Sequence, residues 1–151
     1  MVDVGEKTVT TRVAVARAVV VFPKGAVAGS GDVLRTKKGP VFDTAIIAGV
    51  MAAKRTHELI PFCHPIALES CKIEIDWGAE GELVIDCAVR ATHKTGVEME
   101  ALTGATVAAL TVYDMCKALT HGIEIREVTL LEKTGGKRDY RRGQEAAGEG
   151  R

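Results

Sequence analysis

Cys71-Lys72-Ile73-Glu74-Ile75-Asp76-Trp77 alternates between apolar and charged side chains without a break. Gly78-Ala79-Glu80-Gly81 follows, with glycines placed to reverse the chain. Leu83, Ile85, Cys87, Val89 and Ala91 then alternate with Val84, Asp86, Ala88, Arg90 and Thr92. A period of two on both sides of a turn predicts a β-hairpin. One of its faces belongs in a core, and the other is mostly polar.

Upstream, residues 8–22 are rich in Val and Thr and read as a strand. Residues 24–39 mix Gly, Ser, Lys and Arg and read as an irregular loop. Pro40 can open a helix at its first position, and residues 41–57 carry that helix up to Pro61. It is apolar nearly all round, so it needs cover on every side, from the core or from a second subunit. Downstream, residues 96–119 read as a second long helix and 123–131 as a last strand. The order strand, helix, strand, strand, helix, strand predicts an α+β, ferredoxin-like βαββαβ fold. Its four-stranded antiparallel sheet would carry two main helices on one face. The other sheet face would be polar or covered by another subunit.

The chain has 151 residues, the length of one domain, assigned to residues 1–142. The Gly-, Ala- and Glu-rich tail, 143–151, reads as disordered. Twenty basic and twenty acidic residues leave a formal net charge of +0, which argues against sequence-blind nucleic-acid binding. Aromatics are only 4%, so base-stacking platforms are not expected and the core must be aliphatic. No apolar run reaches membrane-spanning length and no secretory leader pattern opens the chain. A cytoplasmic protein without a membrane partner is expected. Its four cysteines, Cys63, Cys71, Cys87 and Cys116, then read as thiols. Cys63 and His64 are adjacent, which is not a metal-ligand spacing, so no metal and no other cofactor is expected.

Four places carry more polar chemistry than an inert domain needs. Lys38 precedes a helix start, where backbone N–H groups favour an anion, unless it is a solvated loop lysine. His64 stands between Pro61 and Pro65, whose rings restrict the backbone on both sides. It is a rigidly presented imidazole or a satisfied core histidine. The second helix opens with Glu98-Met99-Glu100 and closes with Asp114 and Lys117 on one face. An aspartate near a helix C-terminus opposes the dipole. The pair is therefore an acid/base couple or an exposed ion pair. Glu132-Lys133-Thr134-Gly135-Gly136-Lys137 suits wrapping an anion but lacks P-loop spacing. Glu100 and Asp114 lie fourteen positions apart, about 21 Å along one helix, so a pocket using both ends needs a second subunit.

Long stretches of the chain resemble one family. They are Gly49-Val50-Met51-Ala52-Ala53-Lys54-Arg55-Thr56, Leu59-Ile60-Pro61-Phe62-Cys63-His64-Pro65, Lys94-Thr95-Gly96-Val97-Glu98-Met99-Glu100-Ala101-Leu102-Thr103, and Leu110-Thr111-Val112-Tyr113-Asp114-Met115-Cys116-Lys117. In that order they resemble the cyclic pyranopterin monophosphate synthases, the molybdenum cofactor biosynthesis protein C family. The resemblance implies a pyrophosphate-releasing lyase acting on a cyclised dihydroguanosine triphosphate. It also implies a homo-hexamer, a trimer of dimers with sites at subunit interfaces. Carried over by position, the catalytic pair is Asp114 and Lys117. Lys38, His64, Glu98, Glu100 and Lys133 match other pocket residues. Phe62, Cys63, His64, Met99 and Glu100 match substrate-contact segments. Acid/base work at Asp114 and Lys117 requires a pocket that moves their pKa values toward neutrality. Expelling pyrophosphate requires cations, for which Lys38, Lys54, Arg55, His64 and Lys133 are candidates. Two positions depart from the family pattern: Pro40 replaces Asp or Asn, and Arg138-Asp139 replaces Ser-Gly. The rival reading is a non-catalytic ferredoxin-like module that binds a small molecule and drives oligomerisation.

Overall fold

The computed structural model describes residues 1–27 and 34–144. The disordered-tail expectation therefore falls mostly outside the described residues, as does the centre of the loop at 24–39. Ten elements follow in order: β1 (Thr10–Val21), β2 (Arg35–Thr36), β3 (Gly39–Pro40), α1 (Val41–Ala53), α2 (Thr56–Leu59), β4 (Ser70–Trp77), β5 (Glu82–His93), α3 (Glu98–Cys116), β6 (Glu124–Thr134) and β7 (Tyr140–Arg141). The main sheet is antiparallel with the order β4-β5-β1-β6-β7. Its first four strands follow the ferredoxin-like order, and the hairpin of residues 70–93 is β4–β5 as expected.

The sheet has five strands, not four. Gly135, at φ +90°, reverses the chain after β6, and its N–H donates to Asp139 Oδ1 at 3.2 Å. Tyr140 and Arg141 then pair with Lys133 and Glu132. Two residues are too few to show a period in the sequence. The first helix also ends earlier than expected, at Ala53. Arg55 leaves helical dihedrals, at φ −118° and ψ 19°. The buried Thr56 hydroxyl donates back to the Ala53 carbonyl at 3.0 Å, and the chain restarts as the four-residue α2. Within the expected loop, β2 and β3 form a small hairpin of their own.

The core lies between the sheet and helices α1 and α3. β1 contributes Ala14, Ala16, Ala18 and Val20, all fully buried. α3 presents Ala101, Ala105, Ala108, Ala109 and Val112, also fully buried. These small side chains allow the helices to lie close to the sheet and to each other. Gly49 of α1 packs on Gly104 of α3: a Cβ on Gly49 would stand 2.7 Å from the Gly104 carbonyl oxygen. Gly49→Ala is expected to destabilise the fold by about 1–3 kcal/mol through overpacking. The check is a lower urea midpoint with an unchanged slope.

β6 departs from regular pairing twice. Val15 faces Glu132 and Ala16 faces Leu130, so Leu131 is an extra residue. Val19 faces Glu127 and Val20 faces Ile125, so Arg126 is another. Such bulges turn the side chains beyond them to the other face. On the sheet face away from the helices, Val13, Val15, Val21 and Val84 are only half-buried. Arg17 crosses this face to hold Asp86 bidentately, at 2.7 Å for both contacts.

Candidate active site

Three polar constellations stand out. The first joins Asp114, on the last turn of α3, to two lysines. Lys117 Nζ lies 2.8 Å from Asp114 Oδ1, and Lys38 Nζ lies 2.7 Å from Oδ2. Lys38 also donates to the Asp114 carbonyl at 3.2 Å. The Gly39–Pro40 strand thus holds Lys38 across the end of α3 despite the departure at Pro40. The ammonium of Lys117, then that of Lys38, pulls the Asp114 pKa down to about 2. In return the carboxylate pushes Lys117 up. The couple shifts away from neutrality within one chain, opposite to the sequence expectation, because each charge stabilises the other.

The second constellation is a cavity of about 450 Å³ where the loop after α2 meets the start of α3. Phe62, Cys63, His64, Met99 and Glu100 line it together. Phe62 is 76% exposed and offers an open apolar edge. Glu100 is only 4% exposed. Burial, reinforced by the neighbouring Glu98 charge, raises its pKa to about 6, against an internal backbone hydrogen bond that lowers it. Burial, with help from the Glu100 charge, also pushes the Cys63 thiol up. His64 Nε2 lies 2.8 Å from the Val2 carbonyl oxygen, so the chain's first residues form the cavity's outer wall.

Because ionisation of Glu100 is disfavoured in the fold, its charge costs stability at neutral pH. The cost is absent well below pH 4.5 and complete above about pH 6, as the carboxyl ionises. Glu100→Gln is expected to stabilise the protein by about 2 kcal/mol at pH 8, at roughly 1.4 kcal/mol per pH unit. The gain should vanish at pH 4. Urea unfolding of both proteins at the two pH values checks this.

The third constellation is a groove of about 820 Å³ along the ends of β1 and β6. Arg12, Lys94, Lys133, Lys137 and Arg138 bring positive charge to it, against one acid, Glu6. Lys133 pairs with Glu98 at 3.1 Å, so the groove meets the start of α3. Gly135 packs where any Cβ would strike the Thr11 carbonyl, and its own carbonyl accepts from the Thr10 hydroxyl at 2.6 Å. Lys7 lines both the groove and the cavity, so the two adjoin at this residue.

The structure therefore gathers Phe62, Cys63, His64, Glu98, Met99, Glu100 and Lys133 at one end of α3. It gathers Lys38, Asp114 and Lys117 at the other end. The two groups do not meet within one chain. Lys54 and Arg55 are exposed and form no ion pair among the described residues. Among the described residues no three His, Cys, Asp or Glu side chains converge as a metal site.

A family profile described as "MoaC family" matches residues 1–136, which takes in every residue of the three constellations except Lys137 and Arg138. The chain belongs to the MoaC family. A cyclic pyranopterin monophosphate synthase of Xanthomonas campestris pv. campestris (strain B100) is 59% identical over 140 residues, covering 92% of this chain and 85% of that protein. The molybdenum cofactor biosynthesis bifunctional protein of Synechocystis sp. is 49% identical over 144 residues, covering 92% of this chain and 42% of that protein. Molybdenum cofactor biosynthesis protein 1 of Dictyostelium discoideum is 47% identical over 154 residues, covering 91% and 24%. MoaC-family membership bears out the sequence resemblance and places the chain in molybdenum cofactor biosynthesis. No helix among the described residues is long and apolar enough to cross a membrane.

Sequence reasoning missed Lys7 and Arg12 of the groove. Arg12 looks like one polar residue in a strand. Only the pairing of β1 with β5 and β6 brings it beside Lys94 and Lys133. Its guanidinium donates to the Lys94 carbonyl at 3.0 Å.

Proposed function

We propose that this chain converts a cyclised dihydroguanosine triphosphate into cyclic pyranopterin monophosphate and pyrophosphate. It would do so as a lyase using acid/base catalysis, within one catalytic domain of residues 1–142. The observation that carries the reading is the adjoining cavity and groove. The cavity is apolar and acidic, fit for a nitrogen heterocycle that donates hydrogen bonds to Glu100. The groove is cationic, fit for phosphates.

Rebuilding a purine and ribose into a pterin requires proton transfers without a net redox change. Glu100, with a pKa near 6, exchanges a proton close to neutral pH. Asp114 is too weak a base while two ammonium groups hold it. A phosphate that draws Lys38 or Lys117 away would raise its basicity, so substrate binding itself would activate it. The cations that remain stabilise charge on the phosphoryl oxygens as pyrophosphate leaves.

We further propose that the working unit is a homo-oligomer, a trimer of dimers, in the cytoplasm. Two exposed apolar surfaces support a partner copy. Ile47, Met51 and Leu110 are 65%, 41% and 52% exposed on the helix layer. The valine stripe of the sheet face has a charged border, the layout of an interface core and rim. A neighbouring α3 end would bring Asp114 and Lys117 to the cavity that lacks them.

The test is a turnover assay with the cyclised substrate, following pyrophosphate release and pterin formation. Release of pyrophosphate in step with pterin supports the function. Tight binding of the substrate without turnover would replace it with the non-catalytic module.

A further inference from the structure

The first residues of the chain form a strap across the cavity. Gly5 N–H donates to Asp3 Oδ1 at 2.8 Å, and Lys7 N–H donates to the Val4 carbonyl at 3.0 Å, so the strap is locally folded. Two side chains pin it through its main-chain carbonyls. His64 Nε2 reaches Val2 O at 2.8 Å, and Lys94 Nζ donates to Gly5 O at 2.7 Å. The strap's end therefore has a defined position, and Lys7 stands there.

Three of the six cations of the groove already have partners. The Arg12 guanidinium is spent on the His93 and Lys94 carbonyls, Lys94 on Gly5, and Lys133 on Glu98. Among the described residues Lys7, Lys137 and Arg138 form no ion pair and no side-chain hydrogen bond, and all three are exposed. Of these three, Lys7 alone also borders the heterocycle cavity. An ammonium at that junction faces the part of a nucleotide where the sugar meets its first phosphate.

We propose that Lys7 is a substrate-binding residue that holds the phosphate retained in the product. The inference rests on the reaction proposed above. In that reaction a sugar hydroxyl oxygen forms a bond to the phosphorus nearest the sugar. The bond from that phosphorus to its bridging oxygen breaks, and pyrophosphate leaves with the electron pair. The hydroxyl proton passes to a carboxylate of the site. Negative charge grows on the oxygens around this phosphorus, and a positioned ammonium stabilises it more in the transition state than in the ground state. Lys137 and Arg138, which line the groove but not the cavity, then meet the departing phosphates.

The experiment uses the full-length protein in two ways. Steady-state kinetics compare wild type with Lys7→Met and Lys7→Arg. Lys7→Met is expected to lower kcat by roughly 10²–10³-fold with a smaller change in KM, and Lys7→Arg to recover part of the loss. Separately, lysine acetylation is followed by mass spectrometry with and without saturating GTP, an unreactive triphosphate of the same base. Lys7 should be protected, while Lys72, which pairs with Glu74 on the far edge strand, should not. Unchanged kcat in Lys7→Met, or a rise in KM alone, overturns the assignment to the retained phosphate. Equal acetylation of Lys7 with and without GTP overturns the phosphate contact itself. If GTP protects Lys7 but wild type releases no pyrophosphate from the cyclised substrate, the proposed reaction fails while the contact stands.

Discussion

Asp114→Asn is expected to lower pyrophosphate release by roughly 10²–10⁴-fold, the range for loss of a positioned acid or base. Lys117→Ala should fall in the same range. Both side chains are more than half exposed, at 53% and 55%, so their ion pair contributes little to the fold. The variants should therefore keep wild-type oligomer size and unfolding midpoint. That separation makes the result readable. Activity near wild type in either variant removes that residue from the chemistry. Activity lost together with the folded oligomer makes the pair structural instead. Lys38→Ala provides an internal comparison. It removes one of the two ammonium groups that depress Asp114, so the Asp114 pKa should rise. An acid limb of the pH–rate profile that moves upward in Lys38→Ala would identify Asp114 as the titrating base.

The second large effect is a gain. Asp114→Asn and His64→Ala, each inactive alone, should regain activity when mixed, dissociated and reassembled. The reason is length. The two groups sit at opposite ends of a 19-residue helix, and Glu100 and Asp114 are separated by about 21 Å of helical rise. One small ligand cannot bridge them within one chain. If each site takes Asp114 from one subunit and His64 from a neighbour, random reassembly leaves about one site in four with neither lesion. Activity near a quarter of wild type would stand far above either parent. No recovery in oligomers whose mixed composition is confirmed by mass would mean that each site is built from one chain.

The sequence made the helices and the central hairpin legible for a physical reason. The alternation of residues 71–91 has only one way to bury its apolar half, and β4–β5 takes it. The all-round apolar surface of residues 41–53 required cover, and the sheet and α3 supply it on two sides. Short elements were not legible, because β7 and α2 carry too few residues for a period. The site was legible where its residues are neighbours in sequence, as with Phe62, Cys63, His64, Met99 and Glu100. It was not legible where long-range pairing assembles it. Thr10 meets Gly135, and Arg12 meets Lys94, only because β1 is the central strand between β5 and β6. The Lys38 contact with Asp114 spans 76 positions, and no local pattern announces it.

The extra residue at Leu131 sets which lysine the site receives. With it, Lys133 stands opposite Ala14 and shares the helix-side face of the sheet, within reach of Glu98. If β6 paired regularly instead, with no residue left over, Leu131 would face Val15 and Glu132 would take the place opposite Ala14. A carboxylate would then point at Glu98 where an ammonium does now, and Lys133 would turn to the far face. The bulge, rather than any residue lining the site, therefore sets the polarity of the site's entrance.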